Sequence, residues 1–207
     1  MNFTKKSLLA GMCIAIGGAA FLSVDNKLIG SFLFSIGLLT ICALEFNLFT
    51  GRVCYLAESI DFYQVIVMWI ANFIGSVIIG IITRLSNPQL IQVAQDICDK
   101  KLVEGARVIP LGIMCNILIF FAVYGYKNIK HEIGKYLIVI MCVIVFIMSG
   151  YEHCIANMYY FTVAGYITIP TSFAYIVLNS ISNAIGGICI YRLMKSTVEV
   201  NVWRGKE

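Results

Sequence analysis

The chain has 207 residues, of which 60 % are hydrophobic and 13 % charged, with a formal net charge of +4. A mean hydropathy of +0.89 excludes a soluble domain and indicates an all-α polytopic membrane protein. At about 20 residues per span there is room for roughly six helices in one domain, residues 1–207. The positive balance forms no patch or stripe, which argues against a nucleic-acid partner.

Span one, about Leu8 to Val24, follows Lys5 and Lys6 and carries Gly11, Gly17, Gly18, Ala19 and Ala20, a small-residue face suited to close helix packing. Lys-Lys ahead of an apolar run superficially resembles a signal peptide, but further spans follow at once, so it reads as an uncleaved first helix. Span two begins near Leu28 and is apolar to Leu44. It then meets Glu45, Asn47, Thr50, Gly51 and Arg52 before the short apolar piece Val53 to Ala57, the pattern of a broken helix lining a cavity. Span three, about Phe62 to Thr83, contains Asn72-Phe-Ile-Gly-Ser76.

A polar loop is predicted from Arg84 to Arg107. Span four runs from about Val108 to Tyr124, with Pro110 in its first turn, where a missing N–H matters least, and Asn116 at its middle. The basic loop Lys127 to Lys135 leads to span five, which is apolar from Tyr136 to Met148. There it is interrupted by Ser149-Gly-Tyr-Glu-His-Cys-Ile-Ala-Asn-Met158 and resumes to Ile169. Span six, about Phe173 to Leu193, carries Asn183-Ala-Ile-Gly-Gly187. The eight cysteines form no CxxC pair and mostly lie in apolar runs, so they read as small hydrophobes; no metal or other cofactor is expected.

Six spans put both termini on one side. Lys5, Lys6, Arg52, Lys127, Lys130, Lys135, Arg192, Lys195, Arg204 and Lys206 fall on that side, against Lys27, Arg84, Lys100, Lys101 and Arg107 on the other. The excess predicts cytoplasmic termini for a multi-pass protein of the cell membrane.

The halves also echo each other. Ala71-Asn-Phe-Ile-Gly-Ser76 matches Ser182-Asn-Ala-Ile-Gly-Gly187, and Glu45 in broken span two is paired with Glu152 in broken span five. Three spans per half imply inverted repeats, about residues 5–84 and 104–195, and matching breaks mark a substrate path near the midplane. Adjacent Glu152 and His153 at bilayer depth point the same way, because an ionisable group there costs at least a few kcal/mol and faces a protein interior or a pore. A channel or transporter follows. The asparagine segments also read as helix-packing vocabulary, with Asn donating between helices and Gly permitting close approach.

Ser149-Gly-Tyr-Glu-His-Cys-Ile-Ala-Asn-Met158 resembles the [GS]-[FY]-E-H-x-[IV]-A-N-M signature of the formate/nitrite transporter family, and Leu48-Phe-Thr-Gly51 resembles its L-F-T-G loop. The Asn72 and Asn183 segments and Lys5 agree in order and spacing over all six spans. The resemblance implies an aquaporin-like bundle assembled as a homopentamer in the lipid bilayer, one pore per protomer, passing small monovalent anions such as formate, nitrite or hydrosulfide. By position it implies constrictions at Phe34, Leu38, Leu48, Phe49 and Phe146 with Ile119 nearby, and a central polar pair of Thr50 and His153. It further implies amide donors at Asn116 and Asn183, and vestibule charges at Lys5 and Lys100. Two departures stand out. Asn47 occupies the position just before Leu-Phe-Thr where the family usually has an acid, and the amphipathic segment that usually precedes span one is missing.

A naked anion crossing the apolar set Phe34, Leu38 and Phe146 faces a large desolvation cost, whereas a neutral weak acid avoids most of it. His153, with an unperturbed pKa of about 6.5, is the residue that would make conduction pH-dependent; the alternative is a fixed hydrogen-bond donor that never titrates. Glu152, adjacent on a helix, is expected to point away from the pore and tie the broken backbone or Lys and Arg groups in place. An enzyme is not expected, since the one other histidine, His131, lies in a basic loop. A non-transporting structural membrane protein would not require matching polar breaks in two repeats.

Overall fold

The computed structural model describes residues 2–56 and 58–197. Arg204 and Lys206, counted above for orientation, and Ala57, at the end of the second apolar piece of span two, lie outside the described residues.

Nine α-helices follow one another among the described residues: α1 (Phe3–Leu22), α2 (Lys27–Ala43), α3 (Phe49–Arg52), α4 (Phe62–Ser86), α5 (Leu90–Glu104), α6 (Val108–Asn128), α7 (Glu132–Met148), α8 (Cys154–Ala164) and α9 (Pro170–Thr197). Short polar residues set the starts. Asn26 accepts from the backbone N–H groups of Leu28 and Ile29 at 3.0 Å, and Asp61 and Gln64 form a reciprocal capping box ahead of α4. Gly165 ends α8 at φ 83°, a left-handed turn that favours glycine. Helices α1, α4 and α9, and the run Leu90–Asn128 that contains α6, are long and apolar enough to cross a membrane. Ile66, Ile70, Ile74, Ile78 and Ile81 remain exposed along α4, a continuous apolar row that suits lipid contact rather than water. The chain is an integral membrane protein.

The predicted breaks are present. Span two divides into α2 and α3, and span five into α7 and α8. Around them α1 packs on α4 and α6 on α9, with glycines where the backbones meet. A Cβ at Gly75 would collide with the carbonyl oxygen of Leu8, and one at Gly186 with that of Ile113. Tight small-residue contacts replace the hydrophobic driving force that lipid removes.

The stretch predicted as a polar loop, Arg84 to Arg107, instead contains the 15-residue helix α5. Its buried residues Leu90, Ala94 and Cys98 recur at helical spacing and face the core, and the helix packs on α8. The basic loop after span four is also shorter than predicted, because α6 continues to Asn128.

Hydrogen bonds reveal the register of the two halves. The Phe46 N–H donates to the Ile41 carbonyl at 3.0 Å, and that of Tyr151 to the Phe146 carbonyl at 2.9 Å. Glu45 at φ 54° and Gly150 at φ 71° occupy the same turn. The Asn72 amide donates to Ser7 O at 2.6 Å and Asn47 O at 3.0 Å and accepts from Phe49 N at 2.8 Å. Asn183 donates to Gly112 O at 2.8 Å and Glu152 O at 2.9 Å and accepts from Cys154 N at 2.9 Å. Each pair ahead of the final spans is offset by 105 residues.

This register corrects the pairing of Glu45 with Glu152. The counterpart of Glu152 is Asn47, and that of Glu45 is Gly150. Glu45 sits exposed on a left-handed turn, while Asn47 and Glu152 are buried. An added Cβ at Gly150 would meet nothing within 4 Å, so its requirement is conformational alone. Gly150→Ala is expected to cost about 1–2 kcal/mol of stability, read as a lowered midpoint in detergent unfolding, with no change in packing.

Candidate functional site

Two short helices, α3 and α8, are joined through buried side chains at their ends. His153 caps α8: its Nδ1 accepts the Ala156 N–H at 3.2 Å. That bond leaves the ring hydrogen of the neutral imidazole on Nε2, which lies 2.9 Å from Thr50 Oγ1 in α3 and donates to it. Both residues are buried. The Phe146 ring stacks on the imidazole at 5.9 Å, and Phe34 meets Phe146 edge-on, also at 5.9 Å.

Cavities approach this pair from both ends. The distal one, on the side away from the termini, has a volume of about 570 Å³; Phe34, Phe146 and His153 line it, together with Lys27, Lys100 and Lys101 and the acidic Asp25 and Glu152. The proximal one is constricted to about 20 Å³ and is lined by Leu48 and Gly51 together with Glu45, Arg52 and Lys127. Leu38, Phe49 and Ile119 are buried and line neither cavity. Lys100 is an exposed residue of the distal cavity, whereas Lys5, exposed in the first turn of α1, lines neither.

The backbone ends that a broken helix leaves open are satisfied by amides. Asn183 was expected to offer an amide donor to the pore, but both its N–H bonds are taken by the carbonyls of Gly112 and Glu152, so it holds α8 in place instead. Asn116 differs. Both polar atoms of its buried amide lack a hydrogen-bond partner, and its Nδ2 fills the space that a Cβ on Gly187 would need. Of the two asparagines, Asn116 is the one with donors to spare.

Glu152 lines the distal cavity, but not as a free carboxylate. Lys101 Nζ donates to its two oxygens at 2.5 and 2.6 Å, and Asn157 Nδ2 donates at 2.7 Å. Lys101 was not singled out from the sequence. It continues the buried stripe of α5 one turn after Cys98, a signal that the loop assignment concealed. Asn47 and Arg52 also emerge: Arg52 Nη1 donates to Asn47 Oδ1, and the guanidinium lies over the Phe3 ring, 5.7 Å from its centroid.

A family model described as Formate/nitrite transporter matches residues 1–196. The chain belongs to the formate/nitrite transporter family. The formate channel FocA of Haemophilus influenzae is 28 % identical over 178 residues, 72 % of this chain and 62 % of that protein. A formate-nitrite transporter of Entamoeba histolytica is 23 % identical over 90 % of this chain and 61 % of its own length. The nitrite transporter NirC of Escherichia coli is 26 % identical over 79 % of this chain and 69 % of its own. The chain thus spans about three fifths of the first two relatives. Among solved structures, a channel described as an FNT family ion channel aligns with a TM-score of 0.83 at 22 % identity, covering 94 % of this chain and 88 % of that one. A pentameric formate channel with formate bound aligns at 0.80 and 22 % identity, covering 96 % and 97 %. The fold of this family member is that of these channels.

Proposed function

We propose that the chain is a transmembrane channel for small monovalent anions of weak acids, formate and nitrite foremost, with hydrosulfide as the family alternative. The carrying observation is the buried Thr50–His153 pair, set against stacked aromatic rings between two cavities that each present cationic side chains. Lysines and Arg52 draw an anion toward either mouth. The apolar rings of Phe34, Leu38, Leu48, Phe49, Ile119 and Phe146 disfavour a bare ion and favour its neutral acid. The Thr50–His153 pair, whose threonine hydroxyl keeps its own hydrogen while accepting from Nε2, and the Asn116 amide then supply hydrogen bonds that replace lost hydration. The inward capping bond at Nδ1 supports a fixed-donor histidine over one that titrates.

The repeated hydrogen-bond scheme supports two inverted three-span halves, and the Lys and Arg distribution supports cytoplasmic termini. The pentameric neighbour and the exposed apolar helix faces support a homopentamer with a pore in each protomer. Proteoliposome flux of formate, nitrite and hydrosulfide tests the reading. At least one is expected to cross well above protein-free vesicles; no flux of any would overturn it.

A further inference from the structure

Among the described residues, Glu45 is the one non-glycine with a left-handed backbone, at φ 54°. Its counterpart in the other half, Gly150, makes the same turn at φ 71°. A Cβ is disfavoured in that conformation and glycine is not, so the turn alone gives no reason for a glutamate at 45. Residues held in sparsely populated conformations cluster where function needs them. The side chain supplies such a need. Glu45 lines the proximal cavity with Arg52 and Lys127.

Both cations of that mouth are engaged. Arg52 donates to Asn47, and the Lys127 ammonium interacts electrostatically with the Glu45 carboxylate. The carboxylate is chemically close to the proposed cargo, since formate and nitrite are also planar anions presenting two oxygens. The free volume of about 20 Å³ is room for little more than a water molecule, so a three-atom anion enters only if a lining group moves. Of the lining residues described, Glu45 alone is exposed, and its side chain can swing into solvent while the others are packed. We propose that Glu45 is a tethered competitor for the permeant, its carboxylate occupying the anion position beside Lys127 at the proximal mouth and leaving when formate or nitrite enters. Glu45 thereby sets the affinity of that mouth. The inference rests on the channel reading above.

Formate uptake into membrane vesicles of the two orientations presents each mouth in turn. Glu45→Gln keeps the stem and removes the charge. The half-saturating formate concentration at the proximal mouth is expected to fall about threefold, a change of the size an exposed ion pair supplies, while that at the distal mouth stays put. Glu45→Gly, the residue of the equivalent turn, removes the carboxylate and the disfavoured backbone together. It is expected to show the same fall with a raised unfolding midpoint in detergent. A counter-ion that only stabilises Lys127 predicts a lowered midpoint in Glu45→Gln and no change in half-saturation. A proximal value that is unchanged or higher in Glu45→Gln would overturn the proposal. So would equal falls at both mouths, or a fall in the Gly variant alone, which would assign the effect to the backbone. Both substitutions fall on an exposed residue and leave the buried contacts of the bundle intact. Unmodified protein without flux from either side would instead sink the channel reading and this inference with it.

Discussion

Lys101→Met is expected to cost about 3–5 kcal/mol, the largest single-residue loss in stability anticipated for this protein. The Glu152 side chain is 5 % exposed and that of Lys101 14 %, so the carboxylate recovers little hydration when the ammonium is removed. Asn157 still donates to one oxygen, but a neutral amide does not offset a buried charge. The methionine preserves most of the stem, which packs near the Tyr160 ring 5.9 Å from the ammonium, so lost volume contributes little. The measurement is denaturant unfolding in detergent. The double variant Lys101→Met/Glu152→Gln separates charge from shape: with the orphaned carboxylate neutralised, most of the loss is expected to return. A double variant as unstable as the single one would show that α5 docks on α8 by packing, with the ion pair incidental.

The same ion pair marks the boundary of what the sequence discloses. The spans were legible because a bilayer demands about 20 apolar residues and tolerates little else, and the breaks because Glu152, His153 and Asn157 are too costly to face lipid. Helix α5 was not. Its mean polarity resembles a loop, and only the four-residue spacing of Leu90, Ala94 and Cys98 betrays a buried stripe. Once that stripe is drawn, Lys101 rather than Lys100 falls near it, since neighbouring positions differ by about 100° around a helix. Phase, not charge, decides which of two adjacent lysines reaches Glu152.

The register of the repeat failed for a related reason. Pairing Glu45 with Glu152 matches residue type, but the geometric correspondence lies in the backbone: the left-handed turn at 45 and 150, and the carbonyls at 47 and 152 that receive amide bonds. Asn183 shows the same preference of structure over inventory. An amide near a pore suggests a ligand donor, yet the backbone of a broken helix has first claim on it. Asn116, in the middle of the unbroken helix α6, is left with its side chain unengaged.

Substituting His153 by Asn is expected to lower formate flux about tenfold or more while leaving the fold intact. Asparagine is among the best N-cap residues, and its Oδ1 can take over the bond from Ala156 N–H, so the change in stability should stay within about 1 kcal/mol. It is too short to reach Thr50 as Nε2 does across 2.9 Å. The variant therefore removes the central donor and keeps the cap. One net hydrogen bond of about 1.5 kcal/mol, missing when the permeant is least hydrated, corresponds to roughly the tenfold loss. The dependence on pH carries the sharper distinction. Protonating His153 would place a hydrogen on Nδ1, where the Ala156 N–H already points, and would forfeit the cap of α8. With the imidazole fixed as a neutral donor, flux rises toward low pH through protonation of the permeant itself, and His153→Asn keeps the shape of the profile from pH 5 to 8 at reduced height. A profile flattened by the substitution would show instead that the imidazole gains and loses a proton during conduction, at the expense of its hold on α8.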